Sequence, residues 1–175
     1  MLFIIVLTIV ITQRLVELFI ANRNEKWMRN LGAFEVGASH YPIMVGMHVA
    51  FFVSLLSEVL ALNRPLSPIW ILLLLLFISA QVVRIWCLVS LGKFWNTRIL
   101  ILPGAAVVKK GPYRYFRHPN YLIVSIELLV LPLIFNAYIT AIIYSLLNIW
   151  MLSVRIPAEE KALKKATNYS EQFLL

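Results

Sequence analysis

Residues 68–91 read P-I-W-I-L-L-L-L-L-F-I-S-A-Q-V-V-R-I-W-C-L-V-S-L, an apolar run broken by one formal charge, Arg84. A helix rising 1.5 Å per residue needs about 20 apolar residues to cross a hydrocarbon core roughly 30 Å thick. This run is long enough. Working outward, four further stretches approach that length, at residues 2–21, 43–62, 119–136 and 138–154. The last two are short and predict a tilted helical hairpin that turns at Asn136 and Ala137, with Pro132 kinking its first arm. The spacing predicts an all-α integral membrane protein of about five transmembrane helices.

Composition agrees. The chain has 175 residues, 61% of them hydrophobic, and only eight acidic residues, all glutamate; its mean hydropathy is +0.84. Little polar surface is left to keep a compact globule in water. The net charge of +8 does not indicate nucleic acid, because helices committed to lipid leave no free basic face. It fits contact with membrane lipid. The single Cys87 excludes an intrachain disulfide and a cysteine metal cluster. The first apolar run starts at residue 2 with no basic region before it, so it is expected to be a retained span and not a cleaved signal. No repeat or low-complexity linker divides residues 1–175 into more than one domain.

Charge placement predicts orientation. Arg23, Lys26 and Arg29 lie in the 22–42 connection, six basic residues lie in the 92–118 connection, and Arg155, Lys161, Lys164 and Lys165 lie in the tail. The opposite side carries only Arg64. Positive residues stay inside, which puts the N-terminus outside and the C-terminus in the cytoplasm.

The densest chemistry lies on that cytoplasmic side, at Gly111–Tyr121, G-P-Y-R-Y-F-R-H-P-N-Y. It holds one imidazole, two guanidiniums and four aromatic rings. Pro119 suits the first position of a helix, where its missing N–H has no partner to lose. The following amides, at Asn120, Tyr121 and Leu122, would point at an anion in the loop. Basic and aromatic residues at a span boundary also form ordinary interfacial belts. Acidic partners come from the tail: Arg155 and Glu159 are spaced i, i+4, but Pro157 predicts a bend, with Glu159 and Glu160 opening a new short helix.

With R-I-P-A-E-E-K-A-L at Arg155–Leu163, the loop resembles the isoprenylcysteine carboxyl methyltransferase family, whose signature is R-H-P-x-Y followed by E-E-x-x-L. The segment L-G-K-F-W-N-T-R, Leu91–Arg98, is similar to the bacterial branch, some members of which act on lipid-like polyketides such as alkylpyrones. The resemblance spans roughly residues 81–165. It implies a membrane O-methyltransferase of the bacterial plasma membrane that uses S-adenosyl-L-methionine without a Rossmann fold, and no G-x-G-x-x-G occurs. It implies a cofactor site in 92–122 and 155–170, with Gly111, Tyr113, Arg117, His118, Pro119, Tyr121, Leu122, Glu159 and Glu160 binding the cofactor. His118 and the helix-start amides would hold its carboxylate. Arg155 and Glu159 would be catalytic, Arg155 orienting an acceptor anion. The acceptor would be lipophilic, either a prenylcysteine carboxylate or the hydroxyl of a long-chain phenol or pyrone. Ile123 stands where members often carry a small residue.

Arg14, Glu17, Glu58, Arg84 and Glu127 fall inside apolar runs, where each costs about 2.5–3.5 kcal/mol unless paired. Arg14 and Glu17 are placed to satisfy each other. Glu127 is expected to pair with Arg84 or Arg155, and Arg84 and Glu127 to line the acceptor cavity. His40, His48 and His118 have no metal-ligand spacing, so no metal is expected. The competing reading is a non-catalytic membrane scaffold or small transporter, although no paired repeat supports the latter.

Overall fold

The structure, a computed structural model, describes residues 1–173. Its main elements are α1 (Leu2–Asn30), α2 (Tyr41–Ala61), α3 (Trp70–Leu91), α4 (Pro119–Ile134) and α5 (Tyr138–Ala166), followed by the short α6 (Tyr169–Phe173). Helices α1, α2, α3 and α5 are long and apolar enough to cross a membrane. The 16 residues of α4 reach only about 24 Å at 1.5 Å each, so α4 is the short arm of the hairpin with α5. The protein is an all-α integral membrane protein. Its isoleucine, leucine and valine side chains are widely exposed along the outer helix faces, as in Val89, Ile142 and Ile149, where water would penalise them and lipid does not.

The α4–α5 turn lies where the sequence predicts it. Asn136 takes the left-handed conformation at φ +50°, which asparagine tolerates, and the Ala137 amide donates to the Pro132 carbonyl at 3.0 Å. Glu58 of α2 caps the start of α5, accepting from the Thr140 amide and hydroxyl, both at 2.8 Å. With the Ile139 amide, which donates to the other oxygen at 3.3 Å, that satisfies two orphan backbone amides and sets a carboxylate at the positive end of a helix. Around this end the core forms from Leu55, Phe51, Val59, Leu131 and Ile134, and Phe3 of α1 packs edge-on against Phe135 at 4.9 Å.

Two expectations are corrected. Helix α1 continues to Asn30, because its polar last turns are anchored by side chains instead of by lipid. Asn24 donates to the carbonyls of Trp95 at 2.7 Å and Gly92 at 3.2 Å. Helix α5 passes through Pro157 without ending. A proline removes one backbone bond and crowds the preceding turn, but Met151 and Arg155, both buried, hold the helix on its inner face. The two basic connections are also not plain loops: β1 (Phe34–Val36) pairs antiparallel with β2 (Ile99–Ile101) in the register Glu35 to Leu100.

Four of the five intramembrane charges form one quartet, Glu58 standing apart with Arg64. Arg84 donates to both oxygens of Glu17 at 2.7 Å and to Glu127 at 2.9 Å. Arg14 reaches Glu17 at 2.5 Å and Glu127 at 2.7 Å. Gln81 bridges the rim, donating to Glu127 at 2.6 Å and accepting from Gln13 at 2.8 Å. Glu127 thus pairs with both arginines of the spans, and not with Arg155. Two positive and two negative charges cancel, which is the arrangement hydrocarbon tolerates.

Candidate ligand site at one end of the bundle

The C-terminal ends of α1 and α3, the N-terminal ends of α2 and α4, and the far half of α5 converge around a cavity of about 560 Å³. The loop before α4 is pressed onto α3 by Gly111. Its φ is +53°, and a Cβ there would lie 2.2 Å from Ser90 Oγ and 2.7 Å from Trp86 Nε1, so glycine is required both for the turn and for the close approach. Tyr113 follows, buried against Ala80, Cys87 and Ile123. Burial first, then the charges near it including Glu159, push its hydroxyl above the ordinary tyrosine range.

The loop is latched to the tail. The Gly104 amide donates to the Ala166 carbonyl at 2.9 Å, and the Val107 amide donates to Asn168 Oδ1 at 2.9 Å. The latch places the loop against the acids. Tyr121 donates its hydroxyl to Glu159 Oε2 at 2.7 Å. His118 stacks on Tyr121 with ring centroids 5.5 Å apart, its Nε2 lies 3.1 Å from Glu160 Oε1, and its Nδ1 lies 3.7 Å from Glu159 Oε2. Tyr169 of α6 donates to Glu160 at 3.2 Å; burial, then the Glu160 charge, raise its hydroxyl to about 12. Because α5 is continuous, Arg155 stands one turn below Glu159 on the same helix. Arg155 is buried and donates to the Thr97 carbonyl at 3.0 Å.

On the other wall, Glu35 of β1 accepts from Arg98 at 2.6 Å and pairs with Arg29 at 2.5 Å. This ties the strands to α1. Burial alone would raise the Glu35 carboxyl, but the two arginines outweigh it and hold it below the usual range.

Of the residues singled out in the sequence, Tyr113, Arg117, His118, Tyr121, Arg155, Glu159 and Arg84 line the cavity. Gly111 packs on α3, Pro119 is the buried first residue of α4, and Leu122 is exposed. Glu160 stands behind His118, and Glu127, a member of the quartet, lines a side pocket of about 50 Å³ and not the main cavity. The expected anion cradle of helix-start amides does not form as predicted: the Tyr121 and Leu122 amides donate to the His118 carbonyl at 3.2 and 3.4 Å. The first turn of α4 closes on its own cap residue.

The sequence reading missed three buried polar atoms on this wall. Trp95 Nε1, Asn120 Oδ1 and Arg155 Nε are buried without a hydrogen-bond partner, and all three residues line the cavity. Buried polar groups are nearly always satisfied, so three residues with unpartnered atoms on one wall single that wall out as a candidate ligand contact. Asn120 occupies the unspecified position of R-H-P-x-Y, which hid it. Trp95 lies in a segment read only for its resemblance.

These features define a membrane-embedded helical protein with a cavity at one end of its bundle into whose wall several charged and polar side chains are built. A sequence model of the isoprenylcysteine carboxyl methyltransferase family matches residues 72–165, covering α3 to the end of the acidic motif. The chain is 46% identical over 161 residues to the uncharacterized protein YpbQ of Bacillus subtilis (strain 168), covering 92% of this chain and 96% of that one. It is 30% identical over 151 residues to an uncharacterized protein of Haemophilus influenzae (strain Rd), covering 86% and 88%. No solved structure matches significantly. The chain belongs to the isoprenylcysteine carboxyl methyltransferase family, whose name describes methyl transfer.

Proposed function

We propose that this protein is an S-adenosyl-L-methionine-dependent O-methyltransferase that acts on a lipophilic acceptor at the cytoplasmic face of the bacterial plasma membrane. The carrying observation is that one cavity is lined by the Tyr121–Glu159 pair and by Trp95, Asn120 and Arg155, each with a buried unpartnered atom. Its volume of about 560 Å³ falls within the roughly 300–1,000 Å³ of small-molecule sites.

The residues fit the cofactor group by group. Glu159, held by Tyr121 and flanked by His118, accepts from the ammonium or the ribose hydroxyls. Asn120 Oδ1 offers a second acceptor, while Trp95 Nε1 and Arg117 offer donors to the carboxylate. Tyr113, Tyr121 and the aliphatic wall suit the adenine. When bound, the cofactor supplies an electrophilic methyl group. What the protein contributes is alignment and exclusion of water. Arg155, a buried cation one turn below Glu159, orients the acceptor oxygen that receives the methyl. The apolar wall extends along Leu15 and Leu18 of α1 and Val45 and Val49 of α2, all exposed on the outer surface and all lining the cavity. An acceptor tail can therefore lie between α1 and α2 in contact with lipid.

The cytoplasmic placement rests on the basic residues gathered at the site end against Arg64 alone at the other. Calorimetric titration of S-adenosylhomocysteine into the detergent-purified protein tests the reading. Wild type should bind, and His118→Ala and Glu159→Ala should weaken binding at least tenfold. Absence of binding to wild type refutes the cofactor. Full affinity in both variants moves the site elsewhere.

A further inference from the structure

The loop before α4 turns outward between two residues that face inward. Tyr113 and His118 both line the cavity, and the residues between them, Arg114, Tyr115, Phe116 and Arg117, are all exposed. They form a tight arc in which the Tyr115 and Phe116 amides donate to the Pro112 carbonyl at 3.1 and 3.0 Å. Tyr115 is 72% exposed and Phe116 56%. Neither ring lines the cavity or joins the core, so neither the site nor the packing explains them.

Their place in the bundle does. Gly111 presses the start of the loop onto Trp86 and Ser90, near the end of α3, whose outer face of Val82, Ile85, Trp86 and Val89 is exposed. Leu122, in the first turn of α4, is exposed as well. The arc therefore stands beside the lipid-facing surfaces of both helices, at the level where hydrocarbon gives way to water. Aromatic rings collect at that level, and cations there meet the phosphates of anionic lipid. Lys110 and Arg114 stand at the two ends of one turn, closed by the Tyr113 amide on the Lys110 carbonyl at 3.1 Å. Both are exposed, and among the described residues neither enters an ion pair. Lys109, by contrast, is taken by the tail, donating to the Gln172 carbonyl at 2.7 Å.

We propose that Lys110, Arg114 and the rings of Tyr115 and Phe116 bind the headgroup of an anionic phospholipid of the surrounding bilayer, and that its occupancy holds Tyr113 and His118 in position for the methyl donor. The coupling runs through a short piece of chain. Gly111 is fixed on α3 and Pro119 is buried at the start of α4, so a shift of the arc between them is passed to Tyr113 on one side and to His118 on the other. His118 in turn meets Glu160 at 3.1 Å. A lipid shifts the site only by its differential affinity for the two positions of the arc, and one basic residue at an anionic surface is worth about fivefold. The coupling rests on the methyl-donor reading for its readout.

The test uses the full-length protein in nanodiscs of phosphatidylcholine alone or of equal parts phosphatidylcholine and phosphatidylglycerol. The probe is S-adenosylhomocysteine, whose carboxylate and ammonium cancel, so that surface charge neither gathers nor repels it. Wild type should bind it about fivefold more tightly in the anionic discs. Lys110→Gln/Arg114→Gln should match wild type in phosphatidylcholine and lose the gain. Arg23→Gln/Lys26→Gln, which removes the same charge from the exposed end of α1, should keep it. In a second arm, brominated phosphatidylglycerol should quench tryptophan fluorescence more than brominated phosphatidylcholine does, through Trp86 beside the loop, and the Lys110→Gln/Arg114→Gln variant should lose the difference. Equal affinity of wild type in the two discs overturns the proposal, as does a gain lost equally in both double variants. Should wild type bind no S-adenosylhomocysteine in either disc, the donor reading falls and the quenching arm decides the lipid site: equal quenching by the two lipids overturns it, and a difference removed by Lys110→Gln/Arg114→Gln upholds it.

Discussion

Glu127→Gln is the substitution that most directly separates a charge network from ordinary polar packing in this bundle. Glu127 accepts from Arg84 at 2.9 Å and from Gln81 at 2.6 Å, and pairs with Arg14 at 2.7 Å. Neutralising it leaves two guanidiniums facing Glu17 alone. Removing one partner from a buried pair costs about 3–5 kcal/mol. The side chains of Arg84 and Glu17 are 8% exposed, whereas Arg14 is 19% exposed and can recover some hydration through the cavity. We therefore expect the low end, about 3 kcal/mol, or more than a hundredfold in the unfolding constant. Hydrogen bonds between membrane helices average only about 0.6 kcal/mol, so the two explanations are well separated. The double variant Arg84→Gln/Glu127→Gln restores neutrality and should be more stable than the sum of the single losses predicts, by at least about 1 kcal/mol. Reversible SDS-driven unfolding in mixed micelles, followed by circular dichroism, measures all three variants. A Glu127→Gln loss under about 0.5 kcal/mol, or additivity in the double variant, refutes the reasoning.

Tyr121→Phe removes the 2.7 Å donation to Glu159 and should weaken S-adenosylhomocysteine binding about tenfold, the worth of one hydrogen bond to a charged group, as calorimetry would show. Gly111→Ala forces a Cβ against Ser90 Oγ at 2.2 Å in a left-handed backbone, at a cost of at least about 1–2 kcal/mol; reduced ligand affinity with unchanged helix content is expected, and Ser90→Gly should recover only the steric part. Glu35, whose carboxyl is held below its ordinary value of 4.5, stabilises the fold above that pH and loses this contribution as pH falls through its lower folded value. The thermal midpoint of wild type should therefore drop more steeply than that of Glu35→Gln below about pH 4.5.

The spans are legible in the sequence because lipid imposes a length and a hydropathy that no other constraint overrides. That covers α2 and α3 and the Asn136 turn almost to the residue. Where water and other side chains take over, the signal weakens. Asn22 to Asn30 look like a loop by hydropathy, yet they complete α1 because Asn24 finds carbonyls on the turn after α3. The strands at 34–36 and 99–101 pair across a long stretch of chain and are too short to announce themselves by alternation. Pro157 misleads for the opposite reason, since a local breaker loses to the packing before it and the hydrogen bonds at Glu159 and Ala166 after it. Within the site, the dense residues of the loop and tail were legible by type. The side chain of Asn120 was not, because its significance lies in an atom left without a partner, which only a three-dimensional neighbourhood reveals.

The two halves of the cavity are held by different means, and that difference bears on how the acceptor is chosen. The proposed donor half is clamped by backbone: the loop bonds to the end of α5 at Gly104 and Ala166, and the continuous α5 carries Arg155 and Glu159 in fixed relation. The acceptor half is held by side chains. Helix α1 is tied to α3 and α4 by the charge quartet, to the strands through Glu25 and Arg98 at 3.2 Å, and to the far end by Phe3 on Phe135. Between α1 and α2 the wall is Leu15, Leu18, Val45 and Val49, exposed on their outer sides. Changing the size of these four residues alters the space for an acceptor tail without touching a clamp of the donor half. Tail-length preference should therefore respond to Val49→Ala or Val45→Phe while S-adenosylhomocysteine affinity stays constant, and a change in that affinity would show that the two halves are not held independently.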